Sequence, residues 1–477
     1  MAPAPCCSHA SPAAAIPEFL RSAFNHFAKA VDTLPQEPGG MGEMEDAISQ
    51  EISELLRRAL ELSVQAKADG SDHSRCPVCR SKLDRVTAGH ERTVRSLHGE
   101  VTFTRSKGYC PECEQWFFPA DNILDLEKRA SASPGVQRAS ALLVSKMPSA
   151  EAEKVMRELT GMRTADDSSM AREAKRQGER AKKLRDKMDE QACDSEGRWE
   201  VTARLREELG PVAPFTLVIE MDAVLIRERD DWGQSDELRA RDKNPSRWHW
   251  IYTATIFRMN ERVETQTGRS MILSRGFVAT REGLESFSRQ VYAEAIRQGL
   301  LLAESSLVIA DGGVWIWKIA DDRFPKSRKR LDFYHASQHL HSVAAMRFGD
   351  DKEAAKAWLA PMLHQLKHGG EAGVVKTIAD LAEAAEGLAG EELRREAEYF
   401  RKHADHLDYA AGAAKGEPIG SGAIESTCRQ LQCRFKRPGQ FWSKTGDEAL
   451  LTLEVFWRNG RWHDLFPVRA QKEPARS

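Results

Sequence analysis

The sequence predicts a multidomain, mainly α/β protein, and three observations carry that prediction. Two Cys-Pro-x-Cys knuckles, Cys76 to Cys79 and Cys110 to Cys113, enclose a strand-rich stretch of the size of a metal-binding unit. A very polar helical stretch follows, ending near Cys193. From Phe215 onward, strand-sized apolar runs alternate with helical periodicity, as in a sheet covered by helices. The length agrees, because 477 residues exceed a single domain of about 100 to 200.

Composition excludes several classes. With 41% hydrophobic and 30% charged residues the chain is neither collagen-like, disulfide-dense nor wholly disordered. Lys plus Arg number 70 and Asp plus Glu 72, a net charge of −2, so any nucleic-acid surface must come from local clusters. No run approaches the roughly 20 apolar residues of a membrane helix, and no membrane partner is expected. The opening residues, MAPAPCCSHASPAAAIP, lack the basic and apolar regions of a signal peptide. They read as a flexible tail, and a cytoplasmic, nucleoid-associated address is expected.

The elements follow in order. Residues 1–70 are expected to be a tail and helical preface, with helices from Glu18 to Leu34 and from Met44 to Ala66. Ile48, Ile52, Leu55 and Leu56 form the apolar face of the second, and Pro35 to Gly40 the break. Residues 71–120 read as a zinc ribbon whose hairpin, Thr93 to Leu97 and Glu100 to Thr104, turns at His98-Gly99. In residues 130–205, Ala152, Val155, Met156 and Leu159 form a helical face, Thr160-Gly161 turns the chain, and a helix starts near Asp166: a helix-turn-helix pattern. Gly210, Pro211 and Pro214 mark a domain boundary near residue 210.

Residues 214–335 and 416–465 read as one core. Strands are expected from Phe215 to Ile226, Trp248 to Arg258 and Ser270 to Ala279, then a helix from Glu282 to Ala303. A strand from Ser306 to Asp311, a short helix after Gly312-Gly313 and a strand from Arg330 to Tyr334 complete it. Three strands, a helix, a strand, a helix and a strand is the order of a ribonuclease-H-like core. Residues 336–415 form an all-α insertion, rich in Ala, Leu, Glu and Lys. The basic run Lys326, Arg328, Lys329 and Arg330 reads as a solvated loop.

Cys76, Cys79, Cys110 and Cys113 supply four thiolates on two facing turns, the set that tetrahedral zinc takes. All four positions are filled by cysteine, which leaves none for water, so one structural Zn2+ is expected. Cys6, Cys7, Cys193, Cys428 and Cys433 receive no role. Asp222 and Asp311 each follow the apolar run of a strand, and Glu425 opens a helical run behind Gly420-Ser421-Gly422. If those strands pair, the first two carboxylates stand roughly 5 Å apart. Three converging carboxylates suit two Mg2+ ions.

The stretches ADGGVWIW (310–317), LDFYHASQHL (331–340) and GSGAIESTCRQLQCRFKRPGQFWSKTG (420–446) resemble the catalytic segments of bacterial insertion-sequence DDE transposases of the Kra type, relatives of the Mutator-like group. The resemblance spans roughly residues 70 to 465. It implies a catalytic triad on Asp222, Asp311 and Glu425, and an Asp-x2-His element on Asp332 and His335. It also implies cleavage of double-stranded DNA at terminal inverted repeats and strand transfer into target DNA, with at least a homodimer on two DNA ends. One departure is Asp222-Ala223, where the family commonly has Asp-Gly. Glu220, two residues earlier, points to the same strand face and is easily mistaken for that ligand. A non-catalytic DNA-binding protein derived from a transposase is the rival reading.

DNA contacts are expected at two places. From Ala171 to Lys187 eight basic residues stand against three acidic ones, and Arg172, Lys175 and Arg176 lead that expected recognition helix. In the second place, Arg429 to Lys444, the chain has cations and no acid. There Arg434, Lys436 and Arg437 are expected on phosphates, Phe435 in the core and Trp442 on a base, beside Phe441.

Overall fold

The computed structural model describes residues 12–33, 40–128, 130–161, 164–211, 213–229, 246–266, 270–438, 440, 442–443 and 445–467. The tail to residue 11, with Cys6 and Cys7, and positions Phe441 and Lys444 lie outside the described residues. The chain divides into two compact units, Met1–Gln177 and Gly178–Ser477.

The first unit opens with helices α1 (Pro12–Thr33) and α2 (Met41–Asp69), followed by an antiparallel sheet of β1 (Asp84–Ser96), β2 (Gly99–Cys110) and β3 (Gln115–Phe117) in that order. The hairpin is longer than its sequence signal: pairing runs from Ser96 opposite Gly99 out to Asp84 opposite Tyr109. Its inward residues Val94, Val101 and Phe103 are buried, and Val94 and Phe103 pack with Ala68 of α2. A strand edge left unpaired would invite association. Here α2 covers it with polar side chains: Glu61 Oε1 accepts from Thr102 N at 3.0 Å and Gln65 Oε1 from Thr104 N at 2.8 Å. That polar docking leaves Ile52 and Leu56, expected on the apolar face of α2, exposed.

Helices α3 (Pro119–Ile123), α4 (Pro134–Lys146) and α5 (Ser149–Thr160) follow, and α6 (Asp167–Cys193) carries the division between units. Gly161 ends α5 with φ of 65°, the left-handed cap that glycine adopts at low cost. Ala152 and Met156 are buried as expected, whereas Leu159 points outward.

The second unit begins within α6 and not near residue 210, because residues 178–209 are wired to it by charge. Arg185 donates to Glu448 Oε1 at 2.8 Å and to Glu282 Oε2 at 2.6 Å, and Arg297 to Asp189 Oδ1 at 2.7 Å. After α7 (Gly197–Leu209) come β4 (Thr216–Arg229), β5 (Ser246–Arg258), the short pair β6 (Arg262–Glu264) and β7 (Ser270–Ile272), and β8 (Gly276–Thr280). Then follow α8 (Leu284–Arg297), β9 (Ser305–Ala310), α9 (Val314–Arg323) and β10 (Arg328–Leu331). The main sheet has the order β10-β9-β4-β5-β8. β4, β9 and β10 run parallel, and β4–β5 and β5–β8 are antiparallel. The third expected strand is therefore split: only Gly276–Thr280 joins this sheet, and Ser270–Ile272 pairs with β6. α8 stops short of Ala303 because the chain turns at Gly299, with φ of +99°.

An all-α segment of α10 (Phe333–Phe348), α11 (Lys352–Lys367), α12 (Glu371–Ala384), α13 (Gly387–Lys402) and α14 (Tyr409–Ala414) separates β10 from α15 (Gly422–Phe435). α16 (Gly446–Arg458) and α17 (Trp462–Leu465) end the described chain. Period-2 alternation divides β4 between two cores. Leu217, Ile219 and Met221 pack with Phe287, Trp317 and Leu340, and Val218 packs on the other face with Phe257, Leu307 and Ala423.

The basic run before α10 is not a solvated loop. Arg328 and Arg330 lie on β10, and Arg330 is fully buried. It donates to both carboxylate oxygens of Asp408 at 2.7 and 2.8 Å, to Glu417 Oε2 at 3.0 Å and to the Pro418 carbonyl at 2.9 Å. A Cβ at Gly412 would stand 2.4 Å from its guanidinium, which explains glycine there. Removing one partner of a buried pair leaves the other charge uncompensated. Arg330→Met should therefore lower unfolding free energy in urea by about 3 to 5 kcal/mol. A loss below about 1 kcal/mol would mean that Asp408 and Glu417 rehydrate freely.

Candidate functional site

The four expected cysteines converge. Their Sγ atoms all lie within 4.8 Å of one another, with Cys76 to Cys113 at 3.9 Å and Cys79 to Cys110 at 3.4 Å. Tetrahedral zinc–sulfur bonds of about 2.3 Å place sulfurs about 3.8 Å apart, so the cluster could hold a structural metal such as zinc. The local chain is built for it. Val78 N donates to Cys76 Sγ and Cys113 N to Cys110 Sγ, each at 3.4 Å. The residue after each second cysteine, Arg80 and Glu114, adopts positive φ of 65° and 53°, so the two turns repeat one geometry. A hydrogen bond from Ser81 holds the Cys79 thiol down at about 6, whereas burial pushes Cys110 up.

In the second unit, Asp222 and Asp311 lie just past the paired stretch of the parallel strands β4 and β9, Asp222 within β4 and Asp311 immediately after β9. Pairing of β4 with β9 ends at Glu220 opposite Ile309, and each aspartate follows two residues later. Burial raises the Asp222 carboxyl and the charge of Asp311 raises it further; the amide of Ala223, the thiol of Cys428 and His335 oppose this. Gly312, with φ of +94°, lets the chain turn away from Asp311, and a Cβ there would meet the Tyr399 hydroxyl at 2.7 Å. That hydroxyl donates to the Asp311 carbonyl at 3.0 Å, and Gly313 N donates to Asp311 Oδ1 at 2.9 Å.

Glu425 sits in the first turn of α15, its side chain 44% exposed and its nearest cation Arg429 at 3.8 Å. Three residues on, one turn along the same face, Cys428 donates its thiol proton to Asp222 Oδ2 at 3.3 Å. Glu425 is thereby brought within about a turn of Asp222. Among the described residues no three carboxylates or histidines gather as tightly as the cysteines. Ligands of a two-ion site are spread more widely than those of one ion, because the ions themselves stand about 3.5 to 4 Å apart.

Glu220 is buried against α15. It is 1% exposed, burial pushes its carboxyl up to about 8, and its Oε2 accepts from Ile424 N at 2.8 Å. Asp332 is fully buried: Oδ1 caps α10 by accepting from His335 N at 3.0 Å, and Oδ2 accepts from Ser421 N at 2.5 Å and from its hydroxyl. His335 thus begins α10, close enough to act electrostatically on Asp222. His339 is committed elsewhere, with Nδ1 2.6 Å from Glu396 Oε2 and its ring stacked on Tyr399 at 3.7 Å.

The expected DNA contacts divide. Arg172 and Lys175 are exposed on α6, whereas Arg176 is tied to Glu173 and Glu127. Lys436 and Arg437 are exposed. Trp442 corrects the sequence reading: it is buried, its backbone N donates to the Arg227 carbonyl at 3.1 Å and its indole N–H to the Phe435 carbonyl at 2.8 Å. Arg434 is likewise buried, its guanidinium 5.4 and 5.1 Å from the Phe435 and Trp442 rings. Burial of Phe435 is as expected. Sequence reasoning missed Cys428, because nothing in a lone helical cysteine indicates which strand it will face.

No family model matches the chain. The sequence is 24% identical over 392 residues to the UPF0236 protein in the vanSb 3′ region of Streptococcus gallolyticus, covering 80% of this chain and 74% of that relative. Among the described residues no helix is long and apolar enough to cross a membrane.

Two outcomes are expected. Purified protein should carry one zinc per chain by atomic absorption, and Cys110→Ser should abolish it; full retention in the variant would rule out the four-thiolate site. His403, packed against Tyr399 and Trp317, is lowered from 6.5 to about 4, first by burial and then by His406. A base depressed in the folded state binds its proton sooner when unfolded, so stability is present above about 6.5 and is lost as pH falls toward 4. Wild type should lose stability relative to His403→Phe across that window, with parallel melting curves at higher pH.

Proposed function

We propose that the protein is a DDE transposase that cuts DNA at terminal inverted repeats and transfers the freed 3′-hydroxyl to target DNA. The observation that carries this reading is the placing of Asp222 and Asp311 where the pairing of parallel β4 and β9 ends, with α15 docked so that Glu425 lies a turn from the Asp222 contact. The sheet order, three antiparallel strands with two parallel ones beside the first, supports a ribonuclease-H-like core. C-terminal ends of parallel strands are where such sheets carry their ligands.

The three side chains offer hard carboxylate oxygens, the donor type that Mg2+ takes, so the residues fit the metal. When bound there, two Mg2+ ions would supply charge neutralisation for the attacking and leaving oxygens of an in-line phosphoryl displacement. Asp222, Asp311 and Glu425 would hold them. Glu220 and Asp332 fix the helix that presents Glu425, and Tyr399 fixes the turn that presents Asp311. His335 stands beside the carboxylates, placed to orient a phosphate or a water. The cysteine cluster with β1 to β3 supports a zinc ribbon, and α5 and α6 around Gly161 support a helix-turn-helix. Two DNA ends call for at least a dimer.

Asp311→Asn and Glu425→Gln should keep the fold and binding of the gene's flanking DNA while losing nicking of that DNA in magnesium. Cutting by either variant at the wild-type rate would refute the metal assignment. Specific binding by a wild type that never cuts or mobilises a marker would favour the non-catalytic DNA-binding protein.

A further inference from the structure

Past the catalytic end of the sheet, β4 and β5 continue alone. β9 leaves β4 after Glu220 and β8 leaves β5 at Tyr252, yet β4 and β5 stay paired as far as Arg229 and Ser246. This two-stranded ribbon has unlike faces. On one, Ile226 and Glu228 are buried, and Glu228 Oε2 accepts from Arg281 at 2.6 Å. The other carries Trp248 and Trp250, 50% and 47% exposed. Residues two apart share a strand face, so Trp248, Trp250 and Tyr252 form one aromatic row. The row ends opposite Ala223, the neighbour of Asp222, where Tyr252 packs on Phe287 and Trp315.

Cations accompany the rings. Arg227, directly across from Trp248, holds its guanidinium 5.0 Å from that ring, and Lys436 brings Nζ to 5.4 Å. Among the described residues neither indole N–H has a hydrogen-bond partner, and Trp250 makes no ring contact. Flat rings open to solvent and flanked by cations fit a ligand that is aromatic and anionic together. The centre of a homodimer interface is depleted of charge, which this surface is not. Intact duplex hides its base faces within the stack, so the fitting form of DNA is unpaired.

We infer that Trp248 and Trp250 form a stacking platform for unpaired nucleotides of a DNA strand, its phosphates held by Arg227 and Lys436. The inference rests on the DNA-cutting reading for its functional meaning, with Asp222 pointing to the other face of the same two strands, and the binding itself can be tested alone. This platform takes the role that the sequence assigned to Trp442.

The test titrates full-length protein with fluorescein-labelled oligothymidylate and with a duplex of equal length. Replacing Trp248 and Trp250 by Ala should weaken single-strand binding by about five- to a hundredfold per ring while changing duplex binding less than about threefold. Replacing both by Phe should restore most of it, and Lys436→Gln should reduce its salt dependence. Thermal melts of each variant verify the fold. Unchanged single-strand affinity in the Ala pair, or equal loss for single strand and duplex, overturns the inference. So does a concentration-dependent dimer in sedimentation that the Ala pair abolishes, since the surface would then belong to a second copy. A wild type that binds single strands through these rings but never cuts leaves the platform standing and the transposase reading fallen; one that cuts with the rings dispensable gives the reverse.

Discussion

Two buried carboxyl groups grip the beginning of one helix, and the position of Glu425 relative to Asp222 follows from that grip. The first turn of any α-helix leaves backbone N–H groups without partners. At α15 these donors meet Glu220, reaching from β4 to Ile424 N, while Asp332, at the junction of β10 and α10, holds Ser421 just ahead of the helix. Burial favours the neutral carboxyl of Glu220, and the amide of Ile424 offsets only part of that preference, so the group stays raised while still satisfying a helix donor. The two acids therefore fix α15 against two different strands of the sheet. Thr427 adds a hydroxyl contact to Thr255 at 3.0 Å, and Cys428 reaches Asp222. Glu425 has its place because the residues around it are held, although its own side chain is half in solvent.

The same device recurs with the sign reversed. Arg330, Arg185 and Arg281 are cations of the second unit placed among acids that come from distant parts of the chain. Arg330 joins β10 to the return of the helical insertion, Arg185 joins α6 to α16 and Glu282, and Arg281 joins Glu228 to Asp447. Such buried pairs specify which element goes where more than they add net stability, since their attraction largely offsets their desolvation. They also consume charge. On α6 the excess of basic residues suggests a DNA surface, yet Arg176, Lys182 and Arg185 are bound to acids within their own units. The cations left on the surface of that stretch are fewer than the count implies.

Much of the architecture was legible because it rests on short-range signals. The cysteine knuckles declare themselves by spacing, and both adopt the same turn. The order of strands and helices in the second unit follows from periodicity, as does the all-α character of residues 336–415. Asp222 and Asp311 are visible because each follows an apolar run of strand length, Phe215 to Ile219 and Leu307 to Ala310. The errors have one origin. Local pattern places the Trp442 ring on the surface and Arg330 in a loop, and both are buried; it places Leu159 inside, and Leu159 is exposed. In each case local pattern was asked for burial, a property set by what arrives from elsewhere in the chain.

The sequence by itself determined the elements, the four-thiolate cluster and the set of acids, since these depend on periodicity and spacing along the backbone. Tertiary structure alone decided which acid faces which. Glu220 and Asp222 lie two residues apart on one strand face, yet one meets a helix N-terminus and is sealed, while the other meets a thiol and the neighbouring Asp311. It also decided that the ribbon's tryptophans stay in solvent while Trp442 does not. The reason is physical: solvation and electrostatic partnership are three-dimensional quantities, and residues more than two hundred positions apart, such as Glu220 and Ile424, set them for one another.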